Sequence, residues 1–161
     1  MNRLLLPVVF AFFAQLTQIS AQLVLVSPTL NNLQPGQLID IPIKVKNFTQ
    51  MIGLQFPVQW DPAVLKYQGV SSFGLPGVTI DNFGLIDTSA GIVRFNWFSP
   101  PQNPGWLTKA DLSIIFKIKV KVVGAVNSST QITFPTNILN FPIEATHFDA
   151  SVPVSMGAAR L

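Results

Sequence analysis

The chain has 161 residues, 48% hydrophobic and 11% charged, with 13 Pro, 13 Phe and 10 Gly. That suits one packed domain and excludes a disordered chain, a coiled coil or a long-helix protein. Ten Lys and Arg against seven Asp and Glu give a net charge of +3, and the basic residues are spaced out along the sequence, so neither a phosphate-binding patch nor a nucleic-acid partner is expected. With no cysteine, disulfides, thiol nucleophiles and thiolate metal sites are excluded, and His147 is the single histidine.

At the start, Arg3 precedes an apolar run from Leu4 to Ala14, then polar Gln15, Thr17 and Gln18 and the small pair Ser20-Ala21. This is the layout of a secretory signal peptide. A run of about eleven residues is too short for a ~30 Å hydrocarbon core, which takes roughly 20. Cleavage after Ala21 is expected, dividing the chain into a leader over 1–21 and a domain over 22–161 that is secreted to the extracellular space or cell surface. No later segment is long and apolar enough to span a membrane. Without cysteines, the core alone must hold the exported domain.

From Leu38 the pattern has a period of two, with Ile39, Ile41, Ile43 and Val45 on one side and Asp40, Pro42, Lys44 and Lys46 on the other. Ile52, Leu54, Phe56, Val58 and Trp60 repeat it against Gly53, Gln55, Pro57 and Gln59, and Pro57, lacking an N–H, predicts an edge position or a bulge. Asp61-Pro62-Ala63-Val64-Leu65 predicts one short helical turn that drops Leu65 into the core. Short strands are predicted around Val78 to Asp81 and Leu85 to Asp87. Over Ile92 to Phe98, Val93, Phe95 and Trp97 share one face and Arg94, Asn96 and Phe98 the other. The loop Ser99 to Gly105 follows. The longest strand runs Leu112 to Val122, with Leu112, Ile114, Phe116, Ile118, Val120 and Val122 facing in and Ser113, Ile115, Lys117, Lys119 and Lys121 facing out. Further strands are predicted at Thr130 to Phe134, Glu144 to Phe148 and Val152 to Met156.

Eight or nine short strands with turns between them and no helical period predict an all-β, two-sheet antiparallel sandwich, without internal repeats or a linker.

Catalysis needs convergent titratable groups, and the seven acids are scattered one per strand or turn. His147 and Asp149 would share one face of a strand, but metal sites take three or four such ligands. No metal is therefore expected, and a hydrolase is kept only as a paired-carboxylate alternative, since strands can bring distant acids to the ~5–9 Å separations that such chemistry requires. Lys117, Lys119 and Lys121 form an outward stripe, read either as a guard that keeps a long strand soluble and unpaired at its edge, or as the charged rim of a protein-binding face. Phe98 and Ile115 are predicted as exposed anchors on strands that could share a sheet. A carbohydrate-binding module is the alternative; its stacking aromatics would have to come from Tyr67, Phe98 and Trp106. Asn47-Phe48-Thr49 and Asn127-Ser128-Ser129 match the glycosylation acceptor pattern and are read as turns.

Several segments together resemble the cohesin domain, the module that captures dockerins in polysaccharide-degrading assemblies. They are Ile41-Pro42-Ile43-Lys44-Val45-Lys46-Asn47, Gly53 through Leu65 with its Trp60-Asp61-Pro62 turn, Val93-Arg94-Phe95-Asn96-Trp97-Phe98, the strand from Leu112 to Val120, and Val152-Pro153-Val154. The resemblance implies a nine-stranded jelly-roll sandwich that is not an enzyme and has no cofactor, and a dockerin-bearing or other extracellular protein as partner. Polysaccharide is the second ligand class. Carried over by position, the partner-binding surface comprises Gly53, Gln55, Pro57, Gln59, Asn96, Phe98, Ser99, Lys117 and Lys119. The sequence departs from well-known cohesins at Gly53 and Gln55, where they place Asn and Asp, and near Ser99, where they use an acid. The last residues, Ser155 to Leu161, are expected to fall short of a long final strand.

Overall fold

The computed structural model describes residues 21–101 and 105–161, so the predicted leader lies outside the described residues except for Ala21. In chain order the strands are β1 (Ala21–Ser27), β2 (Leu30–Leu33), β3 (Leu38–Lys46), β4 (Met51–Gln59), β5 (Leu65–Ser71), β6 (Phe83–Gly84) and β7 (Ile92–Phe98). They continue with β8 (Ser113–Val122), β9 (Ser128–Thr130), β10 (Asn137–Ile138), β11 (Phe141–Pro142), β12 (Glu144–His147) and β13 (Val154–Arg160). Two sheets dominate, one of five strands in the order β13-β1-β3-β8-β5 and one of four in the order β12-β4-β7-β6. Two minor pairs, β2 with β9 and β10 with β11, complete the set. The fold is an all-β sandwich.

Alternation explains how the sheets stack. Ile41, Ile43 and Val45 on β3, Phe116, Ile118 and Val120 on β8, and Leu54, Phe56, Val58, Phe95 and Trp97 on β4 and β7 are all buried in one core. Phe116 of the five-stranded sheet meets Phe95 and Phe56 of the other, with ring centroids 4.7 Å and 6.0 Å away, and Phe83 edge-on at 5.0 Å. Such pairs add about 0.5–1.5 kcal/mol each beyond their buried area. The buried indoles keep their N–H groups bonded, Trp60 donating to the Leu65 carbonyl at 3.0 Å and Trp97 to that of Pro76 at 2.9 Å. The Asp61 turn forms as predicted, its carboxylate accepting from Ala63 N at 2.8 Å, and Leu65 is buried.

Pro57 stands in the body of β4, yet the reason given for an edge holds locally. The β12 partner ends at Gln55, opposite Glu144, and pairing resumes at Gln59 with Thr133. Pro57 falls in the gap, where no ladder donor is required.

Other expectations need correction. On β8, Ile43 pairs with Phe116 and Lys44 with Ile114, leaving Ile115 without a partner on β3. This bulge slips the alternation by one residue. Ile115 is fully buried, whereas Ile114 is 37% exposed and Leu112, at φ 64° before the strand, is 40% exposed. Ile115 is therefore a core residue and not an outward anchor, and Leu112 and Ile114 do not face in. The strand expected at Val78 to Asp81 is a 3-10 turn over Ile80–Asn82, closed by Asn82 Oδ1 accepting from Thr79 N at 2.7 Å. A second 3-10 turn covers Thr88–Ala90, and the only strand here is β6. Short polar side chains bonding their own backbone compete with a ladder in such segments. At the end of the chain, β13 is a full strand. It runs parallel to β1 in unbroken register from Ala21 opposite Val154 to Ser27 opposite Arg160, so the sandwich is not purely antiparallel.

Candidate functional site

On β4 the residues Gly53, Gln55, Pro57 and Gln59 alternate with the core set, and Arg94, Asn96 and Phe98 do the same on β7, so all seven line the outer side of the four-stranded sheet. The antiparallel register places Gly53 opposite Phe98, Gln55 opposite Asn96 and Pro57 opposite Arg94. Ser99 follows directly, its N–H donating to the Ile52 carbonyl at 2.8 Å.

Two glycines allow bulky neighbours to lie over the sheet. A Cβ on Gly53 would stand 3.2 Å from the Phe98 ring, and one on Gly84 would stand 3.2 Å from Cβ of Arg94. Phe98 thus leans across β4 yet remains 67% exposed, an aromatic surface held in place by a strand and not by a loop. Beside it is a hollow of about 30 Å³ bordered by Gln55, Asn96, Phe98, Glu144 and Thr146, enough for one water molecule. Asn96 Oδ1 is buried there without a hydrogen-bond partner, while Gln55 donates to the Pro142 carbonyl at 3.1 Å.

Charge is nearly cancelled on this face. Arg94 is paired with Asp87, each about a quarter exposed, and Glu144 on β12 is the remaining acid. Arg94, Glu144 and Thr146 were not among the predicted surface residues. Arg94 was legible, since it alternates with Asn96 and Phe98; Glu144 and Thr146 were not, because only the β12–β4 pairing brings them beside Gln55 and Gly53.

Lys117 and Lys119 do not belong to this surface. β8 lies in the five-stranded sheet, so its outward side chains point away from the opposite side of the sandwich. The same separation divides the aromatics proposed for sugar stacking: Tyr67, on β5, packs against the core and burial raises its pKa, whereas Phe98 is exposed on the other sheet. Tyr67 and Phe98 therefore make no shared platform.

His147 and Asp149 do not share a strand face either. β12 ends at His147, whose Nδ1 accepts from Asp149 N at 3.0 Å, and Asp149 caps a turn by accepting from the N and Oγ of Ser151 at 2.9 and 2.7 Å. Those two Ser151 bonds hold the Asp149 carboxyl below its ordinary pKa. Among the described residues, no three of His, Asp and Glu gather as a metal site would require, and no helix is long and apolar enough to cross a membrane. Asn47 and Asn127 of the two acceptor triplets occupy turns at φ 57° and 63°.

Two stacked sheets with a solvent-facing, aromatic-and-amide sheet surface place the chain in the β-sandwich class. A family model for the cohesin domain matches residues 24–145, and the chain belongs to that family. No curated protein sequence matches it. Solved structures of similar fold include the seventh ScaB type I cohesin of Pseudobacteroides cellulosolvens, at 16% identity over 87% of this chain and 88% of that one, TM-score 0.63. The sixth cohesin of scaffoldin B from Acetivibrio cellulolyticus, solved with a dockerin, is 17% identical over 86% of this chain and 97% of its own, TM-score 0.61. The OlpA cohesin of Clostridium thermocellum, also solved with a dockerin, is 13% identical over 87% and 99%, TM-score 0.61.

Proposed function

We propose that this protein is exported by its leader over 1–21 and that residues 22–161 act as a jelly-roll cohesin module, binding a dockerin-type partner through the outer face of the four-stranded sheet. Membership of a family of non-catalytic binding modules supports the class of activity, and the dockerin complexes of two similar folds support the class of partner. The observation that carries the choice of face is Phe98, an exposed aromatic seated over Gly53 among amide side chains. Exposed aromatics of this kind are what the centre of an interface needs.

Recognition here is aromatic and amide-based. Gly53, Gln55 and Ser99 carry no charge, and Arg94 already has Asp87 as its partner. The surface is Gly53, Gln55, Pro57, Gln59, Asn96, Phe98 and Ser99, with Arg94, Glu144 and Thr146 at its margins and without the two lysines. A partner of ordinary size would bury roughly 1,200–2,000 Å² in total. Calorimetric titration with dockerin-bearing proteins from the same organism tests the proposal. Phe98→Ala is expected to weaken binding by about tenfold or more, as loss of a central anchor does. The proposal is overturned by no binding to any such dockerin, or by binding that ignores Phe98→Ala and fails with Lys119→Gln.

A further inference from the structure

Pairing of the strands assembles a positive surface that the sequence disperses. Lys44 and Lys46 on β3, Lys66 on β5 and Lys117, Lys119 and Lys121 on β8 all alternate with core residues, so the six lie on the outer side of the five-stranded sheet. They are six of the ten basic residues of the chain, and Lys66 stands directly opposite Lys121. The one acid among them is Asp40, opposite Lys119. Among the described residues the sole ion pair is Arg94 with Asp87, so none of these lysines is held in an ion pair, and Asp40 alone could neutralise at most one of the six. Protection of a free edge does not account for the stripe, because β8 is paired on both sides, with β3 and β5. Like charges directly opposite across strands are destabilising, so this arrangement carries a cost.

We infer that the outer face of the five-stranded sheet is a docking surface for an acidic polysaccharide, a linear chain bearing carboxylates at intervals. Lys117, Lys119 and Lys121 repeat along one extended strand about every 6.5–7 Å, a linear array of cations. Beside it runs an open strip. Gly69 lies opposite Lys119 and Ser71 opposite Lys117, and a Cβ on Gly69 would meet nothing within 4 Å. A flexible sugar chain can lie along that strip with its carboxylates against the ammonium groups.

Other occupants fit less well. A second copy of this face is repelled by it. A globular protein needs an apolar centre, and interface cores are depleted in lysine. The exposed apolar residues Leu38 and Ile114 sit at opposite ends of the β3–β8 pair. A lipid surface calls for aromatic or large apolar side chains that enter it, and the aromatic on β5, Tyr67, faces the core.

Gel retardation of the purified protein in embedded polygalacturonate tests the inference, with methyl-esterified polygalacturonate as the uncharged control. Retardation is expected in about 20 mM salt, with loss in about 0.5 M salt and in the esterified gel. The combined variant Lys117→Gln, Lys119→Gln, Lys121→Gln should weaken binding by about tenfold or more, whereas Lys109→Gln, in the loop before β8 and outside the strands of this sheet, should change it much less. Circular dichroism of the triple variant verifies folding. Individual replacement of each of the three, with binding falling stepwise, is the check that survives a triple variant that does not fold. No retardation, equal retardation in the esterified gel, or unchanged binding by the variants overturns the inference. So does binding to phosphatidylglycerol vesicles or duplex DNA at concentrations where polygalacturonate is not bound. Phe98→Ala should leave this binding intact, which separates its failure from failure of the dockerin reading.

Discussion

The outer faces of the two sheets are built by the same alternation and end in opposite chemistry. On the four-stranded sheet, bulky side chains fold down over glycines, Phe98 over Gly53 and Arg94 over Gly84, and the one strong charge on β7 is neutralised by Asp87. On the five-stranded sheet, lysines stand out from β3, β5 and β8 with no ion-pair partner among the described residues. One face offers an apolar, shape-based contact whose strength depends on burial. The other offers a long-range field that salt screens. Two surfaces of different chemistry therefore share one core, since strand alternation isolates each outer face from the other.

The largest expected effect concerns the shared core. Ile115→Lys would bury an unpaired charge in the bulge and should destabilise by about 4 kcal/mol or more, whereas Ile114→Lys, one residue earlier on the solvent side and opposite Lys44, should cost only about 1–2 kcal/mol. Equal effects in urea unfolding would show that the bulge is misplaced. Phe116→Ala removes the ring shared by Phe56, Phe83 and Phe95 and should cost about 3–5 kcal/mol, weakening both faces together.

Gly74→Ala is next. A Cβ there would run into the Ile114 carbonyl oxygen, a backbone atom that cannot swing aside, so a loss of about 1–3 kcal/mol is expected in thermal unfolding. Gly53→Val sharpens the comparison of faces. It should displace the Phe98 ring and weaken partner binding while leaving polygalacturonate retardation unchanged.

The smallest effect is a pH dependence. The Asp149 carboxyl titrates below its ordinary value because Ser151 bonds its charged form. Its contribution is therefore present above the usual carboxylate range and is lost as pH falls through its lowered folded value. Asp149→Asn should slightly flatten the acid limb of a stability profile without altering either binding activity.

Much of the candidate site was legible because alternation is local. Gly53, Gln55, Pro57 and Gln59 fall on one side of β4, and Asn96 and Phe98 on one side of β7, from residue spacing alone. Ile115 was misread because a bulge is set by the partner strand: nothing within Ser113 to Val122 marks the residue that β3 leaves unpaired. The resemblance grouped Lys117 and Lys119 with residues of β4 and β7, and the structure puts them on the other sheet. Alternation tells that a side chain points out, but not which sheet its strand joins.

By itself the sequence determined that these residues form short strands with one apolar side, that charge and titratable groups are sparse, and that the Trp60-Asp61-Pro62 turn and its flanking strands follow the cohesin pattern. Tertiary structure alone decided that β8 joins β3 and β5 and not β4 and β7, that Phe98 rests on Gly53, and that six scattered lysines become one surface. The reason is range. Side-chain direction along a strand follows from backbone geometry over two residues, whereas strand neighbours are chosen by the packing of the whole core, between positions far apart in the chain.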